Sequence, residues 1–459
     1  MESFSRVRLS SALKGSSRRR SLKDLGVLRE GGRKSAGQPS DDDHHCLQTF
    51  HTHLPMYYYQ EGKVMKTQSE RFVLEAAATF GLEAVVRDEL RALGVSVIGT
   101  EDRRVIFEGT ALEVARCNIG LRTADRVWLR LADFRVMDFD DLYEGVRQAP
   151  WREIMTPEAA VVVKARSSRS NLSSVPSIQS VSKKAIIDAL LGTGGRQGRQ
   201  RAEETGPSYT VEVSLLRDHA AVCLDTSGAG LHKRGYRLES GAAPLRENLA
   251  AALVLLSRWD PSRPFADPLC GSGTIAIEAA LIARGVAPGI RRRFAAERWP
   301  LLQGRVWEDA RLEAREEERR NAPVSINASD RDRTMVDAAA RNAAQAGVAD
   351  DVRFQCVPLL AFEPQGDYGC VVSNPPYGER LGERRDVESL SREIGELYRR
   401  LGTWSFFILT ANTDFPRLFG TSFSKNRKLY NGNIRCYLYQ WFGPRPGQGE
   451  LPSRSRLDQ

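Results

Sequence analysis

The sequence predicts an α/β protein with a doubly wound, mostly parallel sheet in its C-terminal half, preceded by a smaller α+β region. Two patterns predict this. From Pro244 onward, helix-like segments alternate with apolar strands, whereas Thr123 to Thr226 is dominated by short β-rich runs. A third observation locates a site: a strand ending at Asp267 turns through a Gly-rich loop into a helix.

Residues 1–66 show neither helical nor strand periodicity and are rich in Ser, Arg, Gly and Asp, so a disordered basic tail is expected there. A transit-like segment and an over-extended translation start, with Met65 the true one, remain open readings. His44, His45, Cys46, His51 and His53 lie in this tract, which lacks a core to fix metal-ligand geometry, so no metal is expected. Phe72 to Ala78 reads as a strand. Leu82, Val86, Leu90 and Leu93 recur at helical spacing until Gly94, and Val95 to Phe107 offers short strands.

The β-rich region has runs at Val127–Phe134, Ala160–Ala165, Tyr209–Leu215 and Ala221–Leu224 around one expected helix, Ser180 to Leu191. Gly192 to Gly206 reads as a basic hairpin tip and Thr226 to Ala243 as a linker. Beyond it come a helix from Leu245 to Ser257, the strand ending at Asp267, a helix through Ile282, and a strand ending at Asp330. An Ala-rich helix from Met335 to Ala346 stops at Gly347. Cys370 to Ser373 closes a further strand, Leu390, Ile394, Leu397 and Leu401 mark a helix, and Trp404 to Thr410 is a strand. Asn431-Gly432 then predicts a hairpin between Lys428–Tyr430 and Ile434–Gln440, so the sheet should end in antiparallel strands.

The chain has 459 residues, of which 41% are hydrophobic and 27% charged, which suggests two to four domains and excludes a wholly disordered protein. The formal net charge is +9, yet residues 1–40 hold ten basic and three acidic side chains. A basic pI therefore says little about the folded part, and any nucleic-acid surface must be argued from local patches. No uncharged apolar run reaches the ~18 residues of a membrane span. Seven scattered cysteines without a Cys-x-x-Cys pair suggest a reducing compartment, and a cytoplasmic location is expected.

Asp267-Pro268-Leu269-Cys270-Gly271-Ser272-Gly273-Thr274 lets a ligand approach the backbone at a strand-to-helix turn. Gly271 to Ala276 also satisfies G-x-G-x-x-A, but a dinucleotide fold would place its ribose-binding acid ~20 residues on. Asp330 stands 59 residues beyond Gly271, and Ala287 to Pro323 reads as an insertion that explains the distance. No Gly-Lys-Ser/Thr closes a P-loop.

Asn374-Pro375-Pro376-Tyr377 offers a rigid backbone carbonyl, an amide side chain and an aromatic face at a strand end. These suit an aromatic exocyclic amine, whose lone pair is delocalised until two acceptors bind its hydrogens. Asn374 Oδ1 and the Pro375 carbonyl can be those acceptors, and Tyr377 can stack on the base. An ordinary Asn-Pro turn is the alternative for the tetrad in isolation. All six histidines lie outside residues 245–459, so this half has no Ser-His or Cys-His pair.

Asp267 to Ala280, Ala287-Pro288-Gly289, Asn374 to Gly382 and LYNGNIRCYLY at 429–439 resemble the THUMP-domain class I S-adenosylmethionine-dependent RNA methyltransferases. The bacterial branch that makes N2-methylguanosine in large-subunit rRNA is the most similar. Gly81-Leu82-Glu83, Ser167 to Ile187, Lys233 to Arg237 and Ala243 to Glu247 extend the resemblance from Arg71 to Phe442. It implies a ferredoxin-like module at 67–122, a THUMP domain at 123–228, a linker at 229–243 and a seven-stranded Rossmann-like methyltransferase domain at 244–445, with a short disordered tail at 446–459. It further implies that Asp267, Cys270, Gly271, Ser272, Gly273 and Asn374 line S-adenosylmethionine, that Asp330 holds its ribose, and that Asn374, Pro375, Pro376 and Tyr377 hold the base.

One departure stands out: Pro358 occupies the place where the family usually carries an acid facing the adenine amine. Lys164, Arg166, Arg169, Lys183 and Lys184 are the expected RNA-binding residues. Arg311 to Arg320 reads as a surface helix held by intrahelical ion pairs. The expected activity is methylation of a guanine N2 in 23S rRNA. The alternatives are adenine-N6 methylation of DNA or RNA, guanine-N2 methylation of tRNA, and a non-catalytic RNA-binding or ribosome-assembly factor.

Overall fold

The computed structural model describes residues 71–192, 204–238, 245–319, 323–377 and 383–444. The expected tails at 1–66 and 446–459, residues 193–203 of the expected hairpin tip, residues 239–243 of the expected linker and residue 244 lie outside the described residues.

The N-terminal half runs β1 (Phe72–Ala78), α1 (Glu83–Ala92), β2 (Ser96–Glu101), β3 (Arg104–Gly109), α2 (Ala111–Gly120) and β4 (Ala124–Arg135). It continues through α3 (Phe139–Arg147), α4 (Trp151–Ile154), β5 (Ala160–Ser168), α5 (Val175–Leu191), β6 (Ser208–Leu216) and β7 (His219–Asp225). These strands form one sheet in the order β2-β3-β1-β4-β7-β6-β5. The two expected modules therefore share a sheet. β4 is twelve residues long and uses both edges, pairing antiparallel with β1 on one side and β7 on the other.

The expectation of a single helix in the β-rich region is corrected, because α3 and α4 precede α5. Asp138 caps α3 by accepting the Asp140 and Asp141 amides, and Leu142 and Val146 bury its inner face. Thr110 and Glu113 likewise form a capping box on α2.

The C-terminal half begins with α6 (Glu247–Ser257), β8 (Phe265–Asp267), α7 (Thr274–Ala283), α8 (Val306–Glu316), β9 (Ile326–Asp330), α9 (Arg333–Ala346) and β10 (Val352–Cys356). β11 (Cys370–Ser373), α10 (Glu383–Arg400), β12 (Ser405–Thr410), α11 (Phe415–Phe419), β13 (Lys425–Asn431) and β14 (Ile434–Trp441) follow. The second sheet has the order β10-β9-β8-β11-β12-β14-β13, parallel except that β14 runs antiparallel to both its neighbours. β8 and β11 are buried on both faces, as a parallel sheet between helix layers requires. Leu253, Ile277 and Ala280 pack in one core, and Ile394, Phe419 and Trp441 in the other.

The segment inserted after α7 leaves this sheet and joins the N-terminal core through Phe294, Trp299, Leu302, Val306, Trp307 and Ala310. Trp299 stacks on Tyr209 with ring centroids 4.9 Å apart, and the Gly289 amide donates to the Ile119 carbonyl at 2.8 Å. The expected intrahelical pairing of Arg311 to Arg320 is thereby corrected. Arg311 reaches Glu297 at 2.6 Å, and Glu313 takes Arg116 of α2 in two hydrogen bonds of 2.6 and 2.7 Å. A buried ion pair, Arg234 with Glu278, and the Tyr236 hydroxyl donating to Glu278 at 3.0 Å add to the joint between the halves.

Candidate active site

Three neighbouring strands, β9, β8 and β11, bring Asp330, Asp267 and Ser373 to one carboxyl edge, where ligands bind in open α/β sheets. The loop after β8 is held from below, where Cys270 donates its amide to the Ser329 carbonyl at 2.8 Å and Ser329 Oγ donates to Pro268 O at 3.2 Å. Gly271 and Gly273 have φ of +51° and +83°. A Cβ on Gly273 would stand 2.9 Å from Ala339 Cβ, so this glycine permits α7 and α9 to approach. A Cβ on Gly271 would meet no protein atom within 4 Å, so the backbone there faces open space.

Asp330 is half-buried; its two carboxylate oxygens accept the amides of Gly271 at 3.0 Å and Asp332 at 2.9 Å. A carboxylate has about four lone-pair sites, so capacity for two hydroxyl donors remains. Asp267 is buried and accepts Ser373 Oγ at 2.6 Å and the Leu269 amide at 3.3 Å. Burial pushes its carboxyl up to about 7, with Asp330 adding to the rise and the Ser373 and Leu269 hydrogen bonds opposing it. Burial also pushes the Cys270 thiol up, so it is no thiolate.

Asn374 follows β11 directly and is half-buried, Pro375 is buried, Pro376 is exposed, and Tyr377 is half-buried. The Tyr377 hydroxyl donates to Asn374 Oδ1 at 2.6 Å, which orients the amide and occupies one of that oxygen's lone pairs. The structure thus brings Asp267, Cys270, Gly271, Ser272, Gly273, Asp330 and the Asn374–Tyr377 tetrad to adjoining strand ends. Pro358 is exposed just beyond β10, after Val357, whose amide donates to the Asp330 carbonyl at 3.2 Å.

Three supporting residues were not among the expected ones. Ser373 ties the tetrad's strand to the loop's strand, and its signal was a lone polar residue closing an apolar run. Asn342 of α9 donates to Ser272 O at 3.1 Å and accepts the Leu238 amide at 2.9 Å. Arg237 donates to Thr274 Oγ1 at 3.1 Å and to Leu245 O at 2.6 Å.

The five expected RNA-binding residues do not form one patch. Val161 and Val163 of β5 turn toward the layer of α5, so Lys164 and Arg166 project from the opposite face of the sheet. Arg166 pairs with Glu212 at 3.0 Å. Lys183 and Lys184 sit on α5 beside a groove of about 600 Å³; Lys183 pairs with Glu204 at 2.7 Å, and Lys184 lies 5.6 Å from the Tyr143 ring centroid. Arg169 follows β5 in the left-handed region, φ +51°. Among the described residues no cluster of three His, Cys, Asp or Glu could hold a metal, and no helix is long and apolar enough to cross a membrane.

Family models match the chain in three places: an RlmL ferredoxin-like domain at 74–128, a THUMP domain at 136–225, and an RMKL-like methyltransferase domain at 234–440. The chain is 45% identical over 378 residues to the putative RNA methyltransferase YpsC of Bacillus subtilis, covering 82% of this chain and 98% of that protein. It is 36% identical to the ribosomal RNA large subunit methyltransferase K/L of Syntrophotalea carbinolica, covering 79% of this chain but only 52% of that longer protein. Among solved structures, SMU.472, a putative methyltransferase complexed with SAH, superposes with a TM-score of 0.78 at 42% identity, covering 83% of this chain and all of that one. A predicted N6-adenine-specific DNA methylase from Listeria monocytogenes superposes with a TM-score of 0.77 at 43% identity, covering 82% and 97%. With both sheets, the strand-end loop and these matches in agreement, the chain belongs to the family of RMKL-like RNA methyltransferases that carry RlmL ferredoxin-like and THUMP domains.

Proposed function

We propose that this chain methylates the N2 amine of a guanine in large-subunit ribosomal RNA, with S-adenosylmethionine as donor. The observation that carries the reading is the pairing of an open Gly271 backbone and a half-free Asp330 carboxylate with an acceptor tetrad one strand away. The donor fits these residues: Asp330 retains acceptor capacity for ribose hydroxyls, and the loop from Cys270 to Gly273 offers room beside the buried Asp267. A methyl sulfonium supplies an already activated methyl group, so the protein needs to position and polarise rather than to form a covalent intermediate.

Asn374 Oδ1, with one lone pair left beside the Tyr377 hydroxyl, and the Pro375 carbonyl would each accept one hydrogen of the amine. Both hydrogen bonds concentrate electron density on the nitrogen as it attacks, and the proton leaves to water afterwards. Tyr377 would stack on the extruded base, worth about 1–3 kcal/mol. Ser373, anchored to Asp267, holds the tetrad at a constant offset from the cofactor loop. The large-subunit relative and the THUMP domain support an RNA substrate and, with it, a cytoplasmic setting. An adenine-N6 reading has in its favour the name of the Listeria structure and a tetrad that selects an amine without choosing its ring.

Nucleoside mass spectrometry of ribosomal RNA modified by the purified chain tests the proposal. N2-methylguanosine is expected, and Asn374→Ala should lower transfer roughly 10²–10³-fold, the usual cost of a lost transition-state hydrogen bond, while RNA binding survives. N6-methyladenosine as the product would overturn the guanine reading. Transfer unaffected by Asn374→Ala would overturn the assigned role of the tetrad. No methyl transfer to ribosomal RNA, transfer RNA or DNA would favour a binding factor.

A further inference from the structure

The C-terminal hairpin, singled out in the sequence by Asn431-Gly432, plays no part in the site described above. β12 is parallel to β11, so both end at the edge where Asn374 stands, and β14 returns from that edge antiparallel. The last β12–β14 pair is Thr410 with Tyr437, yet β13 and β14 stay paired out to Asn431 with Ile434. The hairpin therefore rises three residues, about 10 Å, beyond the neighbouring strand. With strands about 4.8 Å apart, its tip lies about 10–15 Å to the side of Asn374.

Cross-strand partners share a face. Lys428 opposes Tyr437 and Tyr430 opposes Arg435, so all four project from one side, while Leu429 and Cys436 are buried on the other. Lys428 Nζ lies 5.5 Å from the Tyr430 ring centroid and Arg435 Cζ lies 6.0 Å from that of Tyr437. Phe80, from the loop after β1 and 39% exposed, meets Tyr430 edge-on at 5.8 Å. Residues 415–444 hold five basic and no acidic side chains. Among the described residues, Lys425, Lys428 and Arg435 make no ion pair. By contrast Arg166 and Lys183, two of the expected RNA-binding residues, are each matched by a glutamate.

Uncompensated cations interleaved with partly exposed rings are the chemistry of single-stranded RNA binding: charges follow phosphates and rings stack on bases. We propose that the face formed by Lys428, Tyr430, Arg435 and Tyr437, with Phe80 at its margin, holds single-stranded nucleotides of the substrate a few positions from the base presented to Asn374. The proposal rests on the methyltransferase reading of that site and adds to it the surface that aligns the strand.

The test uses the full chain and the double variant Lys428→Ala/Arg435→Ala, both positions being exposed, with a mixed-sequence single-stranded RNA oligonucleotide as anisotropy probe across a salt series. Removing one cation that neutralises a phosphate should reduce the log–log salt slope by about 0.7, so the double variant's slope should fall by about 1.4. Its KM for ribosomal RNA should rise about tenfold or more with kcat nearly unchanged, while the affinity for S-adenosylhomocysteine and the melting temperature stay at wild-type values. Lys428→Arg/Arg435→Lys should restore both slope and KM, and Tyr430→Ala should weaken probe binding without altering the slope. A wild-type slope and KM in the double variant would overturn the proposal even if the wild-type enzyme methylates RNA. An enzyme that transfers no methyl would sink the functional reading, while the anisotropy series would still decide whether this face binds RNA.

Discussion

Asp267→Asn isolates the electrostatics of the buried strand end. The carboxyl's ordinary value is 3.8 and the folded chain raises it to about 7, chiefly by burial. The folded form thus binds the proton more tightly than the unfolded form does. Its stabilising contribution is fully present below about pH 4, declines as pH rises through the interval, and is lost above about pH 7. The gap corresponds to roughly 4 kcal/mol, of which roughly 2–3 kcal/mol falls between about pH 5 and about pH 8. Asparagine keeps an oxygen to accept the Ser373 hydroxyl but carries no charge, so the variant should lack this loss. Urea unfolding followed by tryptophan fluorescence, without cofactor, measures both proteins across that range. The wild-type chain should weaken by roughly 2–3 kcal/mol relative to Asp267→Asn on going from the acidic to the basic end. Parallel stability profiles would refute the argument, because an Asp267 that ionises in the folded state as it does in the unfolded one contributes no difference.

The two loop glycines should respond differently to alanine. At Gly271 the only protein cost is about 1–2 kcal/mol for a left-handed backbone, so the fold should survive while S-adenosylhomocysteine binding by calorimetry weakens; at Gly273 the Cβ also collides with Ala339, and thermal unfolding should show the larger loss. Pro358→Asp supplies an acid at the exposed start of the turn after β10, and cofactor titration should show tighter binding. An affinity unchanged by the substitution would show that the missing acid does not limit recognition of the adenine.

Several features not recognised in the sequence had local signals there. Phe139, Leu142, Tyr143 and Val146 follow Asp138 at helical spacing, and Thr110 and Glu113 spell a capping box; α3 and α2 were legible from these residues. The Gly271–Gly273 turn, the acids at strand ends and the Asn431-Gly432 hairpin were recognised because each depends on neighbours a few residues away. The destination of the inserted segment was not legible. Ala287 to Pro323 reads only as an insertion, and nothing near Trp299 in sequence names Tyr209 as its stacking partner.

The basic residues show the same boundary. Alternation along β5 separates Val161 and Val163 from Lys164 and Arg166, but which side is covered depends on where α5 packs, and Glu212 neutralises Arg166 from a different strand. By itself the sequence determined the turns, the periodicities and the chemical inventory at each strand end, since short-range sterics and hydrogen bonding govern these. Only the tertiary structure decided that β4 joins two modules into one sheet, that Ser373 anchors to Asp267, and which cations keep their charge unopposed. Those outcomes depend on interactions between residues tens to hundreds of positions apart, whose energies exist only once the chain has brought them together.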